Sequence, residues 1–400
     1  MHDQPFMNLL SIFLLIGGVN GFVFAFLLLK LRKNNFAANR YLAGILAVYG
    51  ILLLHQFLLE SHFIFQVPEL IGFAIPTEVF FPPLFYLYVR TMTLPDGSAQ
   101  KVALHFLPAL LCVLLISPFF FLDFDLKQAI FYSNYMRWPG VLEWTYPWYM
   151  VISGLQATAY LALSFRLLFT HTTRITQFFS YRENITLSWL RNFLLLNLVS
   201  WGCGFYYYYS FVQSDGNIKP FFDWFFFFSV FVVFYLGIMG LMQRRIYNRN
   251  VVDKVEPGQV EGIESPEASV EAVLDSKYKN SALTPELSKR ILNRLKQVMD
   301  KEKLYLNNNL TLPELSKAVS TSPNYLSQVI NEQLHMNFFD FVNSYRIETA
   351  KQLMLNPLPH TTTILDVAME SAFNSKSAFY SAFKKQMDIT PSQFKKSLSL

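Results

Sequence analysis

Asn324, Ser327, Gln328 and Asn331 recur at steps of three and four residues. That spacing puts two carboxamides, a hydroxyl and a further carboxamide along one face of a helix. Lys376, Tyr380, Ser381, Lys384 and Lys385 form a second polar cluster some fifty residues later. Amides and hydroxyls suit hydrogen bonds to base edges in a major groove, and lysines suit phosphate oxygens. The expected base contacts are Asn324, Ser327 and Gln328 from the first cluster and Lys376, Tyr380 and Ser381 from the second. Lys384 and Lys385 are expected on phosphate. The bland use of the same residues is a solvated helix face.

Short helices must position these groups, and the local signals for them are dense. Thr284-Pro285 reads as a cap with proline in the first turn, opening a leading helix whose Leu287, Ile291, Leu295 and Val298 share a face. Thr311-Leu312-Pro313-Glu314 has capping-box form. Leu312, Leu315 and Val319 continue it as an apolar stripe. The chain then breaks at Ser320–Pro323, and Ser322 can cap a second helix that buries Leu326, Val329 and Ile330. A helix, a tight turn and a polar-faced second helix make a helix-turn-helix. The pattern recurs with Thr363–Asp366, a stripe of Ile364, Val367 and Ala368, a turn at 371–375, and a helix burying Phe379 and Phe383. One long helix over 338–355 links the two units. Its Phe338, Phe341, Val342, Tyr345 and Ala350 mark the buried side, while Arg346 reads as a structural ion-pair partner.

At this point residues 305–398 resemble the DNA-binding domain of AraC/XylS-type bacterial transcription regulators. Ser322-Pro323-Asn324-Tyr325-Leu326-Ser327 matches the start of that family's first reading helix. Tyr345-Arg346-Ile347 with Ala350 matches its linking helix. Ala372-Phe373-Asn374, Phe379, Phe383-Lys384-Lys385 and Thr390-Pro391-Ser392-Gln393-Phe394 match its second unit and last helix. The resemblance implies that two reading helices on one linker enter successive major grooves of double-stranded DNA. Where the family usually carries glycine, this chain has His335, Ala372 and Asp388. Glycine is favoured where a turn needs positive φ, a conformation that Asp tolerates better than Ala.

The rest of the chain is of another kind. Of the 400 residues 52% are apolar and 15% charged, against about 25% charged in ordinary soluble domains. Seven apolar stretches, 6–29, 38–59, 69–89, 102–122, 146–169, 187–212 and 220–242, each suit a bilayer core that needs about 20 helical residues. Pro76, Pro82 and Pro83 predict a kink in the third, and Pro108 and Pro118 weaken the fourth. The first lacks the basic flank of a cleavable signal. Thirteen Lys/Arg fall on one side of the spans, in the segments around Lys30–Arg40, Arg90–Lys101, Arg166–Arg191 and Arg244–Arg249. Only Lys127, Arg137 and Lys219 fall on the other, which predicts an outside N-terminus and a cytoplasmic C-terminal part. Trp138, Trp144, Tyr146 and Trp148 suit a headgroup belt, or a pocket under the 123–145 loop. Phe81–Tyr88 and Leu104–Pro108 resemble, less specifically, the multi-span sensor regions joined to such domains in some bacteria.

Between the two parts, Val251–Ser276 holds seven acidic residues and one basic. This reads as a solvated tether, or as an acidic competitor for a basic domain. Residues 277–400 carry 16 basic and 10 acidic residues, a net charge that suits a nucleic-acid partner. Polar residues inside spans invite functional readings, and Glu78, near the middle of span three, with His55 and Asn197 are the intramembrane sensing candidates. Interhelical hydrogen bonds are the competing use. Cys112 and Cys203 sit in apolar stretches, where no disulfide is expected. No cofactor, metal site, Gly-rich phosphate loop, nucleophile elbow or zinc-protease motif is present.

The expectation is thus an all-α, non-enzymatic chain. A seven-helix transmembrane bundle over 1–243 serves as sensor, followed by a juxtamembrane segment and linker over 244–283. A leading helix covers 284–304, and 305–400 form a cytoplasmic two-unit helix-turn-helix domain. Expected partners are double-stranded DNA, the lipid bilayer of a bacterial inner membrane and a stimulus or ligand of unknown kind, with homodimerisation open. The alternative is a transporter or receptor with a regulatory cytoplasmic tail.

Overall fold

The computed structural model describes residues 6–31, 36–94, 102–132, 139–183, 185–214, 219–243, 283–357 and 363–398. Among them regular structure is helical, with no strand beyond one isolated antiparallel bridge between Phe179 and Thr311. The chain divides into two compact units. The N-terminal unit comprises Met1–Phe169 with Leu187–Ile246, and the C-terminal unit comprises Thr170–Thr186 with Tyr247–Leu400.

The N-terminal unit contains α1 (Leu9–Lys30), α2 (Phe36–Glu60), α3 (Ile75–Glu78), α4 (Phe81–Thr93), α5 (Leu107–Ile116), α6 (Phe124–Tyr132), most of α7 (Leu142–Phe178), α8 (Ser188–Ser214) and α9 (Lys219–Met242). Small residues let α1 approach α2 closely: a Cβ on Gly21 would lie 2.8 Å from the Leu46 carbonyl oxygen. Elsewhere on α1, Ile12, Ile16, Val19 and Phe26 are exposed. Trp144 and Trp148 are exposed as well.

The expected seven spans are not all met. Five described runs are long and apolar enough to cross a membrane: Leu9–Lys30, Phe36–Glu60, Val102–Phe121, Leu142–Phe178 and Asp223–Met242. A sixth arises if Pro68–Glu78 and Phe81–Thr93, bent by 41°, are one broken span. The prolines supply the physical cause, because each removes a helix hydrogen bond. The expected span 187–212 lies within α8, where Arg191, Asn192, Asn197 and four consecutive tyrosines dilute the apolar character. Arg32, Lys33, Lys101, Arg137, Trp138, Arg244, Arg245, Arg249 and the 251–276 tether lie outside the described residues.

The C-terminal unit contains α10 (Pro285–Gln297), α11 (Leu312–Ala318), α12 (Pro323–Leu334), α13 (Phe338–Leu355), α14 (Ile364–Glu370), α15 (Lys376–Met387) and α16 (Pro391–Ser397). Side-chain caps start these helices where the sequence places them. Leu287 N–H donates to Thr284 Oγ1, and Tyr325 N–H to Ser322 Oγ. The boxes Thr311/Glu314 and Thr363/Asp366 each close in both directions. Each such cap contributes about 1 kcal/mol.

Two apolar cores share α13. Phe338, Phe341 and Val342 join Ile291, Leu295, Leu315, Leu326 and Val329, whereas Ile347, Ala350 and Met354 join Val367, Phe373, Phe379 and Phe383. One rod thus supports a helix-turn-helix at each end. The leading helix belongs to the first core rather than standing apart from it. His335, Ala372 and Asp388 all adopt left-handed backbone, with φ of 54°, 63° and 59°. These are the three positions where the resembling family uses glycine.

Candidate nucleic-acid interface

The first polar cluster is carried by α12. Asn324 is exposed in its first turn, and Ser327 is half-buried. Asn331 Nδ2 lies 3.5 Å from Ser327 Oγ, so these two already touch along the face. Gln328 departs from expectation. It is only 6% exposed, and its Nε2 donates to Glu332 Oε1 at 2.8 Å. Periodicity had assigned it to the open face, but α10 packs on α12 and the helix therefore buries a wider arc than one stripe.

The second cluster is carried by α15. Lys376, Ser381 and Lys384 are exposed, and Tyr380 is half-buried. The Lys376 ammonium lies 5.5 Å over the Tyr380 ring, a cation–π arrangement that steadies both near the helix start. Tyr380 shares a 2.8 Å hydrogen bond with Ser392 of α16. Lys385, expected on phosphate, instead donates to both carboxylate oxygens of Asp340 on α13 at 2.7 Å. Ser375 caps α15 through Ala378 N–H.

Arg346 is 1% exposed on α13, so it presents no surface to a base. Its structural role is as expected, but its partners are not the carboxylate foreseen. Nε donates to the Tyr305 carbonyl at 2.8 Å and Nη2 to the Asn307 carbonyl at 2.7 Å. Nη1 donates to the Ser180 carbonyl at 2.9 Å, and Nη2 also reaches Ser180 Oγ at 3.1 Å. Burial pushes the guanidinium pKa down to about 10, partly opposed by the Glu183 charge.

Ser180 and Glu183 were absent from the sequence-based site, because no local pattern links them to residues over 120 positions away. They belong to Thr170–Thr186, which forms part of the C-terminal unit. Ser180 N–H and Oγ–H both donate to the Leu310 carbonyl, at 3.1 and 2.7 Å. His171 Nε2 donates to the Ile185 carbonyl at 2.8 Å and clasps the segment's own ends. The Arg182 guanidinium stacks 4.3 Å over the Phe339 ring. Glu183 Oε1 accepts from Ser375 Oγ at 3.0 Å, at the N-cap of α15.

In the N-terminal unit the three polar candidates separate. Glu78 sits at the break between α3 and α4, not in the middle of a continuous helix, and accepts from the Tyr149 hydroxyl at 2.6 Å. His55 is buried, and its Nε2 accepts from Gly72 N–H at 3.0 Å. Gln156 Nε2 donates to the Val79 carbonyl at 2.8 Å. His55 and Gln156 thus pair with backbone groups that the irregular stretch before α4 leaves without helix partners. Asn197 Nδ2 donates back to the Phe193 carbonyl at 2.9 Å. Glu78 and Asn197 nevertheless line one cavity of about 950 Å³, with Tyr49, Asn192, Ser229 and Tyr235, and apolar side chains form most of its wall. His55 does not line it.

Comparisons with known proteins agree with the C-terminal geometry. Residues 315–397 match the helix-turn-helix domain family. An HTH-type transcriptional regulator of Staphylococcus aureus (strain COL) is 36% identical over 107 residues, which are 26% of this chain and 14% of that protein. The HTH-type regulator YtdP of Bacillus subtilis (strain 168) is 27% identical over 126 residues, 32% of this chain and 14% of its own length. The chain thus spans about one-seventh of the length of these relatives. The C-terminal domain of AraT, a response regulator from Geobacillus stearothermophilus, is 25% identical, covers 29% of this chain and 88% of its own, and superposes with a TM-score of 0.23. The C-terminal part of this chain thus matches a helix-turn-helix domain, and the relatives similar to it over that part are described as HTH-type transcriptional regulators.

Proposed function

We propose that this chain is a membrane-tethered one-component transcription regulator, binding promoter DNA through two helix-turn-helix units under the control of its N-terminal unit. The carrying observation is the joint presence of paired reading helices on one rod, α13, and five apolar helices of membrane-crossing length. Asn324 and Ser327 of α12, with Lys376, Tyr380 and Ser381 of α15, are the proposed base readers, and Lys384 the phosphate contact. Gln328 is buried and Lys385 is held by Asp340, so both are left out. The Glu78–Asn197 cavity is the proposed sensing site, since it joins a carboxylate to an apolar wall of ligand-sized volume.

The excess of basic residues beside one set of span ends supports a bacterial inner-membrane protein with an outside N-terminus and the DNA-binding domain in the cytoplasm. The test is chromosomal mapping of sites bound by the tagged full-length protein, alongside a compartment reporter fused after Leu400. Discrete bound sites and a cytoplasmic reporter support the reading. An exported reporter overturns it.

A further inference from the structure

α7 holds 37 residues, about 55 Å at 1.5 Å per residue, whereas a bilayer core takes about 20 residues. Its last turns, from Thr170, belong to the C-terminal unit together with the loop that follows. That loop is not loosely attached. It spends both donors of Ser180 on Leu310 and offers two Ser180 oxygens to a guanidinium that is 1% exposed. A buried guanidinium must be fully hydrogen-bonded, and two of the five Arg346 acceptors come from this loop.

We infer that Thr170–Thr186 is a strap that docks on the DNA-binding domain through Ser180 on Arg346 and holds the Glu183 carboxylate against the N-terminus of the second reading helix, in competition with DNA. The N-terminal residues of a reading helix are the ones that meet base edges, and helix N-termini receive phosphate. A carboxylate accepting from the N-cap residue Ser375 sets negative charge at that approach. The Glu183 contact is not needed for the cap, because Ser375 Oγ already receives Ala378 N–H. Asn374 beside it is tied to the Asn308 carbonyl at 3.2 Å, next to the Asn307 that Arg346 also holds. The strap thereby spans both helix-turn-helix units. It is covalently continuous with α7, so a rearrangement of that helix reaches the reading helix without passing through the 251–276 tether.

This rests on the proposed DNA-binding role, and the experiment separates the two. Full-length wild type in phosphatidylethanolamine–phosphatidylglycerol nanodiscs is used to enrich a random-sequence duplex library. The enriched pool is then titrated against wild type and Glu183→Gln. The strap predicts roughly three- to tenfold tighter binding by Glu183→Gln, through loss of like-charge repulsion. It also predicts that the Ser180 amide loses hydrogen-exchange protection when wild type binds the pool. Enrichment with unchanged or weaker binding by Glu183→Gln, or with an amide that stays protected, overturns the strap alone. Failure to enrich any duplex overturns both the strap and the DNA-reading role.

Discussion

Lys385 and Asp340 face each other across the seam between the linking helix and the second reading helix, the ammonium donating to both carboxylate oxygens at 2.7 Å. The Lys385 side chain is 65% exposed, so the pair is screened and worth about 0.2–1 kcal/mol. It ties α15 to α13 at one point of their contact. Lys385→Ala is expected to cost stability in that small range and to leave the salt dependence of DNA binding nearly as in wild type. Lys384→Ala should flatten that dependence by about one counterion. Titrations at several salt concentrations distinguish them, and a flatter slope for Lys385→Ala would show that its ammonium moves to phosphate.

Asn324 and Gln328 lie one turn apart but should behave oppositely. Asn324→Ala is expected to relax base preference at one position, at a cost of about 1–3 kcal/mol in discrimination. Gln328→Ala should leave preference intact and loosen the first core instead, because its amide bonds to Glu332. Selection from a randomised duplex pool with each variant reads the difference directly.

Ala372 holds φ of 63° in the turn of the second unit, with its side chain buried. A left-handed alanine costs roughly 1–2 kcal/mol, part of which glycine would give back as chain entropy on folding. Ala372→Gly is therefore expected to stabilise by up to about 1 kcal/mol. Slower hydrogen exchange across 363–387 in the full-length protein would register it, and faster exchange would show that the buried methyl matters more.

Arg346 offers a test with a definite pH signature. Its pKa is lowered in the folded state to about 10 from an ordinary value of 12.5, by burial first, with Glu183 opposing. The folded state thus disfavours the proton only between those two values. Stability from this group is flat below pH 10 and rises above it. Arg346→Met should strip the hydrogen bonds from the Tyr305, Asn307 and Ser180 acceptors and cost about 2 kcal/mol or more, equally at pH 6 and pH 9. A cost that changes across that range would assign the effect to another group.

Local chemistry made much of the C-terminal fold readable in advance. A hydroxyl three residues before a carboxylate fixes a helix start wherever it occurs, so Thr311 and Thr363 could be read without neighbours. The departures from glycine at His335, Ala372 and Asp388 left the turn geometry there open in the sequence, and all three positions keep the left-handed backbone. What escaped were relationships set by distant packing. The covered side of α12, the carbonyl partners of Arg346 and the seat of Glu183 all depend on segments far away in the chain. The prolines of span three foretold a bend, while of the residues that satisfy its broken backbone His55 was visible only as a costly polar group and Gln156 was not singled out.

A protease cut anywhere in 251–276 would break the covalent link between the strap over Thr170–Thr186 and the helices it docks on. Only hydrogen bonds and packing would then hold Ser180 on Arg346, so dissociation of the two pieces would open a guanidinium built for a dry seat onto solvent.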